Sequence, residues 1–305
     1  YSLLNKIDWE EKFYDSKDFK LSELIYWFKA PQLYWLNKKN ISPKGIFNHH
    51  PDEEYVSNLQ KFKLVTKVIQ KLEIDNYDII DELKNLNINE QFLENGIIAP
   101  RNSIFTKEKE IQNLLGSLVE NLSNDKNIKR VYVKSNSNKE EYFISDNVVI
   151  ELIHSKLSLK SLSEAWIKLL FISSLEKRIT KTKVIFRKEN QYKSEILQTP
   201  GQLQSKKILE EYINIFKNYS DKCLPLPPES TYKYVEAKMQ LKNEKKAFSD
   251  KWIGNKTFTK GERDNSVIQM CFGNKKEGDF FFGNDKFDDL SFRLYGPLFE
   301  ALKNK

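Results

Sequence analysis

The segment from Lys177 to Lys188 holds the densest arrangement of groups able to bind something. Lys177, Arg178, Lys181, Lys183, Arg187 and Lys188 bracket the apolar triplet Val184-Ile185-Phe186. A basic ribbon of this kind is sufficient to neutralise phosphates without base-specific geometry, which is the chemistry of sequence-independent DNA contact. A lysine-rich exposed hairpin with no ligand has the same composition, so the residues alone leave both readings open. Catalytic patterns are thinner. No Gly-x-x-x-x-Gly-Lys-Ser/Thr loop occurs and no glycine is followed by lysine, which excludes an ATPase motor of that type. His49-His50 stands beside Pro51 in a polar loop, and adjacent histidines need not face one ligand. His154 ends a strand pattern and reads as a structural imidazole. Cys223 and Cys271 are too far apart for a metal knuckle and sit beside apolar residues, so they are expected as buried thiols suited to a reducing cytosol. No catalytic triad, metal-ligand set or cofactor motif emerges, and none is expected.

The elements that position these residues must come from 305 residues, enough for one large domain or two modest ones. Phe 20, Tyr 14 and Trp 5 supply a core despite a mean hydropathy of -0.62. The formal net charge of +7, mostly lysine, favours a polyanionic partner without demonstrating one. No stretch approaches the roughly eighteen apolar residues of a membrane helix, and no signal peptide opens the chain, so a cytoplasmic protein is expected. A start at Tyr1 rather than methionine suggests a fragment of something longer.

The first third reads helical. Ser22 is placed to cap a helix carrying Leu24, Trp27 and Phe28, and Pro31 suits the first turn of a second with Tyr34, Trp35 and Leu36. Leu59, Phe62, Val65, Ile69 and Leu72 recur at helical steps, as do Ile79, Ile80, Leu83 and Leu86. After a loop marked by Gly96 and Pro100, Thr106 is placed to cap a helix with Ile111, Leu114, Leu115, Leu118 and Leu122. Near Asn124 the period changes. Val131 and Val133 alternate with polar neighbours, and a polar turn leads to Tyr142-Phe143-Ile144 and then Val148-Val149-Ile150. A helix with Leu162, Ala165, Trp166, Leu169 and Leu170 follows, then strands at Val184-Ile185-Phe186 and Ile196-Leu197. A helix with Leu209, Tyr212, Ile213 and Phe216 comes next; a proline cluster then precedes a helix expected from Ser230 to Phe248. The order predicts a mixed sheet flanked by helices, with a helical section over 1–124 and the mixed α/β section over 125–305.

The last fifty residues add the sharpest motifs. Lys251-Trp252-Ile253-Gly254 and Gly261-Glu262-Arg263-Asp264 form a glycine-punctuated turn, Val267 to Phe272 is expected as a buried strand, and Leu294-Tyr295-Gly296-Pro297-Leu298 as a short helix closed by Gly-Pro. Leu21-Ser22-Glu23-Leu24 with Trp27, Phe28, Pro31, Tyr34 and Trp35 opens the chain; Leu162, Ala165-Trp166 and Leu169-Leu170 mark a tryptophan helix, and Leu224-Pro225-Leu226-Pro227-Pro228-Glu229-Ser230 a proline loop. In this order the motifs resemble the C-terminal region of the RecC family, the gamma subunits of exodeoxyribonuclease V.

The resemblance implies a subunit of the RecBCD complex, which unwinds and degrades DNA from double-strand ends, with RecB-like and RecD-like partners. It implies a sheet of the PD-(D/E)xK nuclease class that has lost its catalytic groups. Chi reading belongs mainly to the family's N-terminal, helicase-like part and is not carried onto these residues. An intact site needs an aspartate on one strand and acid-x-lysine on the next, the carboxylates holding Mg²⁺ and the lysine activating water. Asp146 is the one aspartate near the first position, yet Ser145-Asp146-Asn147 has turn composition. Glu151 is followed at i+2 by Ile153 rather than lysine, and Lys156 is too far along the strand. Glu82-Leu83-Lys84 and Glu236-Ala237-Lys238 fall in helical patterns. The expectation is a non-catalytic docking and DNA-guiding module, with Phe280-Phe281-Phe282 either exposed for docking or packed inward. The alternatives are an active metal-dependent nuclease whose lysine arrives from elsewhere, or a simple sequence-independent DNA-binding module.

Overall fold

Strand alternation and one two-residue turn start the architecture. The structure, a computed structural model, describes residues 11, 12, 14, 19–41, 101–123, 125, 128–135, 138–153, 155–255, 259–273, 278, 281–282 and 285–303. β1 (Lys129–Ser135), β2 (Asn138–Ser145) and β3 (Val148–Ile153) form an antiparallel meander. Asp146 turns the β2–β3 hairpin with φ of 50°, a left-handed conformation that aspartate tolerates. β4 (Lys181–Lys188) lies parallel to β3, and β5 (Gln191–Gln198) returns antiparallel, giving one mixed sheet in the order β1-β2-β3-β4-β5.

The parallel step requires a crossover, and α4 (Leu159–Leu175) supplies it. The elements before it in the chain are α1 (Leu21–Lys29), α2 (Pro31–Lys38) and α3 (Arg101–Ser123). Ser158 caps α4 by accepting from the Ser161 N–H at 3.2 Å, and the helix buries Leu162, Ala165, Trp166, Ile167, Leu169, Leu170, Phe171 and Ile172. Apolar residues nearly all round the helix explain why it lies between the sheet and further helices. One sheet face, carrying Tyr142, Val149 and Val184, packs in this main core with α1 and α4. The other is covered at β5 by α3, where Tyr192 N–H donates to Ser117 Oγ at 2.8 Å and Asn121 Nδ2 donates to the Tyr192 carbonyl at 3.0 Å. Helix side chains thus satisfy backbone groups on an edge strand.

Beyond the sheet lie α5 (Gln202–Tyr219), α6 (Pro228–Met239), α7 (Glu244–Ile253), α8 (Ser266–Phe272) and α9 (Asp285–Lys303). The short pair β6 (Gly254–Asn255) and β7 (Thr259–Lys260) links α7 to a 3₁₀ turn over Glu262–Asp264. Several expectations change here. Val267 to Phe272 is helical, not a strand: Asn265 caps it by accepting from Val267 N–H at 2.9 Å, and Ile268, Cys271 and Phe272 bury one helical face. Gly296-Pro297 does not end the last helix, which runs through it to Lys303. Pro297 cannot donate to the ladder, but burial of Leu290, Leu294, Tyr295, Leu298 and Phe299 holds the helix on the core, and Tyr212 Oη donates to the Leu294 carbonyl at 2.8 Å. The helix expected from Ser230 to Phe248 is two, broken where Leu241 takes φ of 56° and Asn243 caps α7 by accepting from Lys246 N–H at 2.9 Å.

Ser22 and Thr106 lie inside α1 and α3 rather than at their caps. The amide at the start of α1 is met from a distance, Leu21 N–H donating to Asn138 Oδ1 of β2 at 2.7 Å. Phe281 is buried and Phe282, partly buried, stacks on Tyr234, so both pack against the core; Phe280 lies outside the described residues. The helical patterns from Leu59 to Leu86, the loop at Gly96 and Pro100, and His49, His50 and His154 also lie outside them.

Candidate functional site

A nuclease-like centre on this sheet would occupy β2 and β3, and acidic residues do converge there. Alternation turns Glu140 and Tyr142 of β2 and Glu151 of β3 toward α4, where Tyr142 Oη donates to the Lys168 carbonyl at 3.2 Å. Lys168 Nζ lies 2.7 Å from Glu151 Oε1 and 3.4 Å from Glu164 Oε1, and Lys29 Nζ of α1 lies 2.5 Å from Glu164 Oε2. The result is a continuous network, Glu151–Lys168–Glu164–Lys29, joining sheet, crossover helix and first helix.

Burial presses the Lys168 ammonium toward neutrality, but the Glu151 and Glu164 carboxylates outweigh it and raise its pKa. Burial pushes Glu164 upward too, yet the hydrogen bonds from Lys29 and Lys168 hold its carboxyl below the ordinary value. Glu140 is raised, by burial first and by its neighbours Glu151 and Glu164, against the pull of Lys168. Each carboxylate in direct contact is therefore already matched to an ammonium, and among the described residues no trio of His, Cys, Asp or Glu is arranged to hold a metal ion. Asp146 stands on the exposed hairpin turn. Sequence reasoning missed Glu140, Glu164, Lys168 and Lys29. The legible signals were the i, i+4 spacing of Glu164 and Lys168 on a helix and the strand parity of Glu140 and Tyr142.

The basic ribbon divides in space. Lys177 and Arg178 are exposed in the turn before β4, with Arg178 Nε 3.7 Å from Glu176, and Lys181 begins the strand. Arg187 and Lys188 stand at its other end, where Arg187 Nε donates to the Glu189 carbonyl at 2.8 Å. Between them Lys183 points under α3: its ammonium lies 2.7 Å from Asp125 and also donates to the Asn121 carbonyl. Lys183 thus closes the C-terminal end of α3, a favourable place for a cation.

The sequence motifs converge on an aromatic core. Trp166 Nε1 donates to Tyr212 Oη at 3.1 Å, and Tyr212 reaches the Leu294 carbonyl at the LYGPL segment. Phe28 packs on Tyr212 at 5.0 Å and on Tyr295 at 5.5 Å, and Tyr232 meets Tyr295 at 6.2 Å. Gln32 Nε2 donates to the carbonyls of Leu224 at 2.8 Å and Leu226 at 3.1 Å, tying α2 to the proline loop. Glu262 accepts from the N–H groups of Glu229 at 3.0 Å and Ser230 at 2.7 Å, so the GERD turn caps α6. Gly261 must be glycine, because a Cβ there would lie 2.2 Å from the Trp252 carbonyl oxygen. Cys223 and Cys271 are buried free thiols. These motifs hold the fold together.

Among the described residues no helix is long and apolar enough to cross a membrane. No curated protein matches the chain. The family model described as the RecC C-terminal domain matches residues 16–239, a span that takes in α1 to α6, the whole sheet and three of the four motif groups. The chain belongs to the RecC C-terminal domain family, whose role is that of a RecBCD subunit.

Proposed function

We propose that this chain is the C-terminal portion of a bacterial, cytoplasmic RecC-like subunit acting in double-strand break repair and homologous recombination. In this reading its sheet is of PD-(D/E)xK type and no longer cuts. It docks onto RecB-like and RecD-like subunits and guides DNA strands, with Lys177, Arg178, Lys181, Arg187 and Lys188 as the phosphate contacts and Lys183 as the buried member of that ribbon. The observation that carries it is the state of Glu151. The residues after it on β3 are Leu152 and Ile153, and its carboxylate is bound to Lys168 at 2.7 Å. A carboxylate spent on an internal ammonium is poorly placed to hold Mg²⁺.

The division into a helical section, 1–124, and a nuclease-like section, 125–305, belongs to the same proposal. Leu24 and Trp27 of α1 share one core with Trp166 of α4, which supports a single compact unit. An active nuclease is the second reading, favoured by the arrival of Lys168 at Glu151 from outside the strand. The docking and guiding roles are tested by co-purification with each partner subunit and by fork-DNA binding. Affinity should fall steeply between about 50 and about 200 mM salt. Affinity indifferent to salt would count against DNA guiding.

A further inference from the structure

The outer end of the sheet carries a second cationic surface that the 177–188 ribbon does not include. Arg130, Tyr132 and Lys134 of β1 alternate outward on the face away from α4, beside Lys139 and Glu141 of β2. Tyr132 is 52% exposed although it lies mid-strand. Its ring is flanked by the Arg130 guanidinium at 5.2 Å and the Lys139 ammonium at 5.0 Å. Lys134 and Lys139 are direct cross-strand partners. Like charges in that position destabilise a sheet, and an anion between them removes the repulsion. Glu141 offsets part of the charge through its bond from Arg130 Nη2 at 2.8 Å, which leaves the two lysines as the surplus.

We propose that this β1–β2 face is a stacking platform for single-stranded nucleic acid, with Tyr132 receiving a base and Lys134 and Lys139 the flanking phosphates. The inference rests on the DNA-guiding reading and deepens it. An exposed aromatic between cations is the arrangement by which proteins hold single strands without sequence preference, since every base has a π-face. The alternating geometry of a strand keeps ring and ammonium groups on one surface, and β1 is the outermost strand of the sheet among the described residues.

The test is fluorescence anisotropy on the full chain with labelled oligothymidylate of about twenty nucleotides, beside an abasic oligomer of equal length. The wild type should prefer the thymidylate, and Tyr132→Ala should weaken it about tenfold while leaving the abasic oligomer unchanged. Tyr132→Phe should restore the preference. Lys134→Gln with Lys139→Gln should flatten the salt dependence by about 1.4 logarithmic units per decade. Equal binding of both oligomers, or no effect of Tyr132→Ala, overturns the platform. If Lys177→Glu with Arg178→Glu abolishes binding while Tyr132→Ala does not alter it, the platform fails but DNA guiding stands. Loss of a partner subunit in the β1 variants with oligomer binding intact assigns the edge to protein and also overturns the inference.

Discussion

Replacing Lys168 by methionine removes the ammonium shared by Glu151 and Glu164 while keeping most of the side-chain volume. Lys168 and Glu151 side chains are only 18% and 21% exposed, so the pair is largely desolvated. Removing one partner of a buried pair costs about 3–5 kcal/mol, and residual solvation here lowers the expectation to about 2–4 kcal/mol at neutral pH. The pH dependence is more telling than the magnitude. In the wild type, Glu164 is held below its ordinary pKa, so its contribution is present above the usual carboxylate range and lost as pH falls through the lowered value. Lys168 is raised, so its contribution holds through neutrality and disappears only as pH rises past its elevated pKa. Glu140 is raised, so its ionised form opposes folding at neutral pH and protonation relieves that as pH falls. The variant keeps three nearby carboxylates with Lys29 alone. Lowering the pH below the usual carboxylate range should shrink the penalty to about 1 kcal/mol. Urea unfolding followed by circular dichroism at both pH values measures this. An equal loss at the two pH values would refute the electrostatic account and leave only packing.

Other consequences follow from the same geometry. Glu262→Ala should destabilise the fold by about 2–3 kcal/mol by stripping two N–H groups at the start of α6 of their acceptor oxygens, whereas Glu262→Gln, whose single carbonyl oxygen serves only one of the two N–H groups, should recover no more than about half of that loss. Burial raises the Glu262 carboxyl, against the bonds from Ser230 and Glu229, so the wild type should gain stability as pH falls through that raised value and the glutamine variant should not. Thermal melts across pH check both. Gly261→Ala should destabilise by about 3 kcal/mol or prevent soluble expression, because the Trp252 carbonyl occupies the Cβ position. Both cysteines are buried, so a thiol reagent should titrate neither quickly in the native chain and both after denaturation; fast native labelling would contradict their placement.

What the sequence displayed and what it concealed differ for physical reasons. β4 was legible because Val184-Ile185-Phe186 is a short apolar run with polar ends, and α4 because its apolar residues span a full helical length. Val267 to Phe272 was not, since six apolar-rich residues fit a buried strand or a buried helix equally, and Asn265 decides between them only through its cap. The break at Leu241 carries neither glycine nor proline, so no local signal announces its positive φ. The proline in α9 is tolerated by packing that no local rule displays. The absence of acid-x-lysine on β3 was readable directly. The ammonium that meets Glu151 was not, because Lys168 joins it only through the crossover that makes β3 and β4 parallel. Lys183 likewise read as one of six equivalent cations, and only the packing of α3 turns it inward to Asp125.

The most direct test of the account is incubation of the chain with linear duplex and single-stranded DNA in Mg²⁺ or Mn²⁺, with Asp146→Ala, Glu151→Gln and Lys168→Met alongside. The account predicts no cleavage by the wild type with either metal. Cleavage by the wild type that any of these substitutions abolishes would contradict it and make the chain an enzyme.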